Sequence, residues 1–281
     1  MSSPVSVAVD ALTKMRARIS FAHSTYPDAC VSPNLLSVEG LDEFPGFGGT
    51  GFFARRGDDV FYITARHCLT KQEEIDIASL AARLHIPYAL TDSTRTATDY
   101  VGFAEVLSLK HDSEEMPGRF VDVVVLTIRK PENKELHEKL LERAVKLPPS
   151  GQWLDSFVMH PVVKDDFEAG KGIRFTAIGY PQQGTATKIE YPAGQPVEIV
   201  TQAAKFSGHL GKGTGPDRYM LNDVSWEGDL NGFSGSPVIV GFRNQEGNNY
   251  ALGGMLVSGG AQKAQFIRIS LITEALKAPQ A

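Results

Sequence analysis

The feature that most constrains the fold is a succession of short apolar, β-branched runs separated by turn residues through the second half of the chain. These runs occupy residues 173–178, 197–206, 219–226, 237–242, 250–257 and 265–270. Runs of this length and spacing indicate the antiparallel strands of a sandwich or barrel. The 27 glycines and 16 prolines are spread along the chain, which suits many tight turns better than a helical bundle.

The first half combines strand and helix patterns. Residues 51–54 and 60–65 predict a hairpin, and the near-continuous apolar run 121–128 predicts a buried strand. Apolar spacing predicts helices at 5–19, 71–84, 132–147 and 271–277. We therefore expect an N-terminal extension with a helix (1–44), a first β-domain (45–130), a helical linker (131–147) and a second β-domain with a C-terminal helix (148–281).

Composition narrows the classes of partner and compartment. The net charge is −5 with no long run of one sign, which gives no support for a nucleic-acid partner. No apolar stretch is long enough to span a bilayer, and the first 20 residues do not resemble a secretory signal, so we expect no membrane association. Only two cysteines occur, Cys30 and Cys68, which favours a reducing compartment and a cytoplasmic location. The spacing of histidines and cysteines matches no metal site, so we predict no metal and no cofactor.

Residues 63–68 end a predicted strand on His67. A histidine at the end of a strand can hold its ring at a surface where general-base catalysis needs it. A lone histidine is more often simply packed or solvated, so this position alone does not establish a site.

Asp122 directly precedes four apolar residues of the predicted buried strand. A carboxylate that enters a buried strand is costly unless it is hydrogen-bonded or paired. It can therefore either face water at the start of the strand or accept a hydrogen bond from a histidine and fix that ring's orientation.

The segment Asn231-Gly-Phe-Ser-Gly-Ser-Pro237 precedes another apolar strand. Glycines two before and one after Ser234 permit backbone angles that other residues resist. The backbone amides of Gly232 and Ser234 could then converge to stabilise an oxyanion. A simple glycine-serine turn explains the segment equally well when it is taken alone.

Together, the three motifs resemble, in their order, those of the trypsin-like (chymotrypsin-fold) serine peptidase family, particularly its disulfide-poor bacterial members. The matching motifs are Thr64-Ala-Arg-His-Cys68, Asp122-Val-Val-Val-Leu126 and Gly232-Phe-Ser-Gly-Ser-Pro237, with smaller matches at Gly48-Gly-Thr-Gly51, Ala177-Ile-Gly-Tyr-Pro181 and Gly253-Gly-Met-Leu-Val-Ser-Gly259. The resemblance covers roughly residues 45–275. It implies an all-β fold of two antiparallel six-stranded β-barrels, to which this chain adds an N-terminal helix, helical insertions and a short C-terminal helix.

The resemblance also implies roles for the motif residues. His67 and Asp122 would come from the first barrel and Ser234 from the second, forming a catalytic triad in the cleft between them. Ser234 would attack the peptide carbonyl, His67 would transfer the proton, and Asp122 would orient His67. The amides of Gly232 and Ser234 would form the oxyanion hole, and the partner would be a protein or peptide substrate.

The chain departs from the family pattern at several positions. Phe233 stands where many secreted relatives carry an aspartate that pairs with a new amino terminus, so activation by that route is not expected. The oxyanion loop is then either preformed or ordered by another event. Arg66 must reach solvent or find a carboxylate. The family partner of Cys68 is absent near Phe47, and we expect Cys30 and Cys68 to be free thiols.

Specificity residues are implied only by alignment with the family. The pocket for the residue before the scissile bond would come from residues 226–231. Asp229 would either lie at its base and favour Arg or Lys, or be a solvated loop aspartate. Val257, Ser258 and Gly259 would lie on the edge strand that pairs with the substrate backbone.

Two further hypotheses stand beside the active protease. One is a catalytically silent protease fold used as a binding or scaffold module. The other is a regulated intracellular protease whose helical insertions engage a regulatory protein partner. The glycines of residues 208–215 depart from a phosphate-binding loop and fit a hairpin connection better.

Overall fold

The computed structural model describes residues 16–20, 27–37, 46–70, 74–88, 100–111, 118–182, 187–190, 198–244, 247–260 and 262–277. Its strands are β1 (Arg16–Ser20), β2 (Val31–Leu36), β3 (Gly46–Arg56), β4 (Asp59–Thr64), β5 (Leu84–His85), β6 (Phe103–Lys110), β7 (Phe120–Ile128), β8 (Val145–Lys146), β9 (Arg174–Gly179), β10 (Thr187–Glu190), β11 (Glu198–Gln202), β12 (Ala204–Lys212), β13 (Arg218–Asn222), β14 (Pro237–Asn244), β15 (Gly247–Gly260) and β16 (Lys263–Arg268). Its α-helices are α1 (Ile77–Arg83), α2 (Lys134–Arg143), α3 (Trp153–Val158), α4 (Pro161–Glu168) and α5 (Ile269–Ala275).

The second half forms a closed antiparallel barrel. Its six strands follow one another in the order β12, β13, β16, β15, β14 and β9. Closure leaves every strand paired on both sides along part of its length, which removes exposed sheet edges there. The all-β expectation for this half is confirmed.

The first half is a curled sheet of seven strands. Six follow the order β5, β2, β3, β4, β7 and β6, and β8 pairs with β3 in parallel. The hydrogen bonds of the described strands do not close this sheet into a second six-stranded barrel. A curled sheet beside a closed barrel is consistent with the expected chymotrypsin-like architecture, although the sheet is not the closed barrel that was expected.

The strands of the first sheet bury both faces, which explains the unbroken apolar run in β7. Val123 and Val125 lie in the core shared with the second barrel. Val124 and Leu126 point to the opposite face and pack in a second core, which includes Leu140 of α2. Because successive strand residues alternate between faces, a strand covered on both sides must be apolar at every position.

The main core joins the two halves of the chain. It contains Phe52 from the first sheet together with Phe175, Phe233 and Phe266 from the barrel region. An ion pair between Lys205 Nζ and Asp28 Oδ2, 3.0 Å apart, adds a polar link between the halves. The segments that carry His67, Asp122 and Ser234 adjoin this shared core.

The predicted N-terminal helix at 5–19 is wrong over its last four residues. These belong to β1, which pairs in parallel with β11, Arg16 lying opposite Glu198. Strand pairing with a distant segment overrides the local helical spacing there. The rest of that predicted helix lies outside the described residues.

Two of the other predicted helices are shorter than expected, and the C-terminal helix begins and ends two residues earlier. The insertion at 71–84 is helical at Ile77–Arg83, the linker at 132–147 is helical at Lys134–Arg143, and the C-terminal helix is Ile269–Ala275. Asp76 caps the first of these by accepting a hydrogen bond from the Ser79 amide at 2.8 Å. Among the described residues no helix combines the length and apolarity that a bilayer span requires.

Candidate active site

His67 sits where the sequence predicted it, just beyond the end of a core strand. β4 ends at Thr64, and a 3₁₀ turn of residues Arg66–Cys68 follows. The His67 side chain remains 48% exposed, so its ring is open to solvent on one side. A ring held by a rigid strand and open on one side can exchange a proton with a bound molecule.

Asp122 holds His67 at two points. Its Oδ2 lies 2.7 Å from His67 Nδ1, and its Oδ1 accepts a hydrogen bond from the His67 backbone N–H at 3.0 Å. β7 pairs with β4 so that Val124 lies opposite Thr64, and this register brings the carboxylate to the turn. The contact fixes the ring orientation and leaves Nε2 as the nitrogen facing away from the carboxylate.

The pair favours the charged form of the imidazole. The hydrogen bond that His67 donates to Asp122 is the largest cause, a hydrogen bond with Cys68 adds to it, and burial opposes both; together they raise the pKa of His67 to about 10. An imidazolium that forms during proton transfer is therefore stabilised where it stands.

The loop at residues 231–235 has its first four carbonyls fixed by hydrogen bonds. The Asn231 oxygen accepts from the Gln182 N–H at 2.9 Å, the Gly232 oxygen from Thr50 Oγ1 at 2.7 Å, the Phe233 oxygen from the Ser236 N–H at 2.9 Å, and the Ser234 oxygen from the Thr50 N–H at 2.8 Å. The C=O of one residue and the N–H of the next belong to the same planar peptide and point in opposite directions. Fixing the Asn231 and Phe233 carbonyls therefore also fixes the N–H groups of Gly232 and Ser234.

Two amides of this loop stay available. The Phe233 N–H donates to the Leu230 oxygen at 3.1 Å, and the Gly235 N–H donates to the Leu256 oxygen at 2.8 Å. Within the described residues, the N–H groups of Gly232 and Ser234 donate no hydrogen bond. Two oriented, unpaired amides that flank a serine are the donors that an oxyanion hole requires.

Glycine is required at two positions of this loop. Gly232 and Gly235 have φ angles of +92° and +90°, which side chains rarely adopt. A Cβ at Gly232 would overlap the Tyr180 carbonyl oxygen, and one at Gly235 would overlap that of Thr50. These overlaps give the two glycines of the sequence motif a physical reason.

Ser234 lies beside the histidine segment. Its carbonyl oxygen is 3.6 Å from Sγ of Cys68, the residue that follows His67. Its hydroxyl donates to the Val257 carbonyl oxygen at 3.4 Å, and in the described part of the chain it makes no hydrogen bond with His67. The three predicted triad residues thus lie at one junction, with the hydroxyl turned to β15.

Phe233 anchors the loop by apolar packing. Its side chain is fully buried and contacts Phe206 and Trp226 edge to face, with ring centroids 5.0 and 5.1 Å apart. This packing holds the loop from inside the shared core. Aromatic edge-to-face pairs of this kind add to the stabilisation from burial.

Arg66 is buried against the first sheet. Its guanidinium lies 3.9 Å from the centroid of the Phe120 ring, and its Nη1 donates to Ser108 Oγ at 3.2 Å. Burial lowers the pKa of Arg66, while the nearby negative charges of Asp122 and Glu74 act in the opposite direction. The side chain therefore turns inward and lies within the electrostatic influence of the Asp122 carboxylate.

The predicted specificity residues occupy two places. Asp229 is exposed, and its Oδ2 accepts a hydrogen bond from Asn231 Nδ2 at 2.7 Å. Val257, Ser258 and Gly259 follow the last pair that β14 makes with β15, which joins Pro237 to Met255. Leu256 still exchanges hydrogen bonds with Gly235 and Ser236, but from Ser258 onward β15 pairs with β16 alone among the described strands, which leaves its other edge open there.

Sequence analysis missed the residues that fix the loop from outside it. Thr50 and Tyr180 lie within the secondary motifs 48–51 and 177–181, and Gln182 follows directly. The Gln182 side chain also donates to the Phe47 oxygen at 2.7 Å. The glycines around Thr50 were a signal for close packing, but no local pattern indicated which loop it would contact. Cys30 and Cys68 are both free.

Comparisons with known proteins give weak likenesses. No protein-family model matches the chain, and no curated protein matches it. Among solved structures, a tobacco vein mottling virus protease has 12% identity and a TM-score of 0.43, covering 90% of this chain and 83% of that one.

Two further solved structures are similar at the same level. A human astrovirus serine protease has 11% identity and a TM-score of 0.38, covering 88% of this chain and 92% of that one. A structure described for coupled folding and binding of the Sesbania mosaic virus VPg protein has 11% identity and a TM-score of 0.38, covering 89% and 91%. Because all three TM-scores are below 0.5, the function proposed below rests on the geometry of this chain.

Proposed function

We propose that this protein is a serine endopeptidase that cleaves peptide bonds in protein substrates through an acyl-enzyme. Ser234 is the nucleophile, His67 the general base and acid, and Asp122 the group that orients His67. The observation that carries the proposal is the two-point contact of Asp122 with both the ring and the backbone of His67. A strand-start aspartate that merely faced water would not fix the ring in this way.

The proposed reaction follows from these positions. The Ser234 hydroxyl turns from Val257 toward His67, which takes its proton as the oxygen attacks the substrate carbonyl carbon. The Gly232 and Ser234 amides stabilise the negative oxygen of the tetrahedral intermediate. His67 then gives the proton to the leaving amine, and the C–N bond breaks. Water repeats the sequence on the ester and restores Ser234.

The open edge of β15 supports an extended peptide as the substrate. Ser258 and Gly259 pair with Gln265 and Ala264 on one side only. A peptide could add there as a further strand, with main-chain hydrogen bonds supplying affinity that does not depend on sequence. The preference of Asp229 for a basic residue stays a prediction, and its exposed carboxylate gives that preference no support.

A fluorophosphonate probe tests the nucleophile directly. The wild-type protein should be labelled, the Ser234→Ala variant should not, and His67→Ala should be labelled far more slowly. Ser156→Ala serves as the control, because Ser156 is an exposed serine on α3 and its loss should leave labelling unchanged. Labelling of Ser234→Ala equal to wild type would overturn the proposal.

A non-catalytic binding module is the second candidate. The observation that favours it is the Ser234 hydroxyl, which bonds to the Val257 oxygen and makes no bond with His67. A folded wild-type protein that resists the probe and cleaves no member of a peptide library would support this candidate. Labelling that appears only on adding a protein partner would support a regulated protease.

A further inference from the structure

The segment 180–182 follows β9 and is anchored at both ends on the first sheet. At one end, the Tyr180 N–H donates to Thr50 Oγ1 at 2.9 Å. At the other end, the Gln182 side chain donates from Nε2 to the Phe47 oxygen at 2.7 Å. Both acceptors belong to β3, so one strand of the first sheet holds the whole segment.

Between these anchors, the backbone of Gln182 supports the loop at residues 231–235. Its N–H donates to the Asn231 oxygen at 2.9 Å. A Cβ at Gly232 would overlap the Tyr180 oxygen and the Gln182 nitrogen, so the segment lies directly against this part of the loop. The Asn231 C=O and the Gly232 N–H belong to one planar trans peptide and point in opposite directions. The Gln182 N–H therefore acts on the direction of the Gly232 amide.

The 231–232 peptide has a second orientation open to it. The Gly232 N–H donates no hydrogen bond within the described residues, so the bond to the Asn231 oxygen is what holds this peptide there. Because glycine accepts φ of either sign, half a turn of the peptide moves φ of Gly232 from +92° to the negative values that all residues adopt. That turn would replace the Gly232 N–H with the Asn231 oxygen on the side of Ser234. A carbonyl there would repel a developing oxyanion.

Two features restrict the direction of the Gln182 N–H itself. This N–H belongs to the peptide that joins Pro181 to Gln182, and the ring of Pro181 fixes the φ angle of the residue before it. On the other side of the peptide, the hydrogen bond to Phe47 restricts the rotation of Gln182. Loss of the side-chain bond would remove the second restraint and leave the N–H in the chain.

We propose that Gln182 is a positioning residue, whose anchored backbone N–H holds the Gly232 amide in the direction that an oxyanion hole requires. This inference rests on the proposed function of the same site. It makes the first sheet a contributor to transition-state stabilisation, because the Gln182 side chain bonds to β3. It also assigns a role to a residue that lies just outside the 177–181 motif.

Three variants separate this role from simple stability. Gln182→Met keeps the approximate length of the side chain and removes its donor, and Gln182→Pro removes the backbone N–H as well. Gln152→Met is the matched control, because Gln152 is an exposed glutamine whose side chain makes no hydrogen bond within the described residues. Steady-state hydrolysis of a peptide substrate and urea denaturation are measured for each variant.

We expect Gln182→Met to lower kcat by roughly 3- to 30-fold with little change in KM, since a misdirected amide weakens the transition state more than the bound substrate. Gln182→Pro should lower kcat on the order of 10²- to 10³-fold, the effect of losing one oxyanion donor. Gln152→Met should leave kcat unchanged, and both methionine variants should unfold at the wild-type urea midpoint, because both side chains are exposed. Equal kcat values for Gln182→Met and Gln152→Met would overturn the inference.

Crystal structures give a second readout that needs no activity. The 231–232 peptide should be rotated in Gln182→Pro, should occupy both orientations in Gln182→Met, and should keep the wild-type orientation in Gln152→Met. The wild-type orientation alone in Gln182→Pro would overturn the inference even if the enzyme is active. Should Gln182→Pro not fold, the wild-type orientation alone in Gln182→Met would overturn it. If the wild type proves inert to probe and peptides, the proposed function fails, while the orientation of this peptide still decides the role of Gln182.

Discussion

At His67, the hydrogen bonds that orient the ring also govern its protonation. A general base must be neutral to accept the Ser234 proton, yet Asp122 favours the charged ring. His67 can therefore act as a base only above its pKa in the free enzyme, where the ring is neutral. The pH dependence of hydrolysis is therefore a direct measure of this contact.

We expect kcat/KM to rise with pH through a midpoint above the ordinary histidine pKa of 6.5, toward the value of about 10 that the Asp122 hydrogen bond produces. Asp122→Asn should lower the midpoint and reduce kcat on the order of 10³- to 10⁴-fold, because an amide no longer holds the ring in the tautomer that leaves Nε2 able to accept a proton. A pH–rate profile from pH 6 to 11 tests both effects. A wild-type midpoint at or below 6.5 would contradict the expectation.

A matched control exists elsewhere in the chain. His111 Nδ1 and Asp217 Oδ2 lie 3.0 Å apart and form a second histidine–aspartate pair. Asp217→Asn breaks that pair and should leave both kcat and the pH midpoint unchanged. Equal shifts in the two variants would point to a general electrostatic effect.

The pair of His67 and Asp122 makes the stability of the fold depend on pH in a defined direction. The folded-state pKa of His67 is raised, so the stabilisation is fully present below about pH 6.5 and is lost as pH rises through about 10. Urea denaturation of wild type and Asp122→Asn should therefore differ most on the acidic side of this window. A difference that grew toward pH 10 would have the wrong sign.

Gly232 offers a test of the loop backbone. Gly232→Ala should abolish most activity, at least 100-fold, because its Cβ overlaps Tyr180 and its φ is +92°. Gly57→Ala is the control, since Gly57 also has a positive φ of +61° but an added Cβ meets nothing within 4 Å. It should cost about 1 kcal/mol of stability and leave peptide hydrolysis intact.

Among the elements, α2 is fastened to the fold by the residue at its C-terminal end. Arg143 donates from Nη1 to the Pro87 and Tyr88 oxygens at 2.7 and 2.6 Å, and from Nε to the Ala29 oxygen at 2.8 Å. Its guanidinium also stacks 4.3 Å from the centroid of the Phe53 ring. The helix thus ties three distant stretches of the first half together.

Arg143→Met should destabilise the protein by roughly 3 to 5 kcal/mol, because several buried carbonyls lose their donor at once. Lys139→Met on the same helix is the control, since Lys139 makes only an exposed pair with Glu135 at 2.7 Å. Urea denaturation measures both variants. Equal stability of the two would show that the Arg143 contacts are dispensable.

Strands were predictable from sequence where burial dominates their composition, as in β7 and the strands of the barrel. β2 was missed because Pro33 and Asn34 interrupt its pattern and its register shifts at that point. The Asn34 amide is buried and satisfied by tertiary partners, including the Thr64 hydroxyl at 3.0 Å. The helices α3 and α4, of six and eight residues, were missed because segments so short show little apolar periodicity.

At the scale of the whole molecule, the shared core predicts a single unfolding transition. Both tryptophans, Trp153 and Trp226, lie in the second half, whereas the strands seen by circular dichroism lie in both. Urea unfolding followed by tryptophan fluorescence and by far-ultraviolet circular dichroism should therefore give coincident curves. Separate midpoints would show that the first sheet unfolds independently.

The site could be predicted in part from the order of its motifs. Taken singly, none of His67, Asp122 and Ser234 was decisive; it was the order of their motifs that predicted a site, and the structure brings their segments together. Thr50 and Gln182 were not predicted, because their roles depend on contacts with a loop up to 182 residues away. Such contacts arise only after the two halves pack, and no local spacing encodes them.

Neither of the two cysteines forms a disulfide, so no covalent bond other than the main chain joins the sheet to the barrel. A reducing environment therefore has no disulfide bond to reduce in this fold. The unfolding midpoint should thus be the same with and without a thiol reductant. What a reductant protects is not the fold but the two thiols themselves, one of which, Cys68, lies beside His67 and is only partly buried.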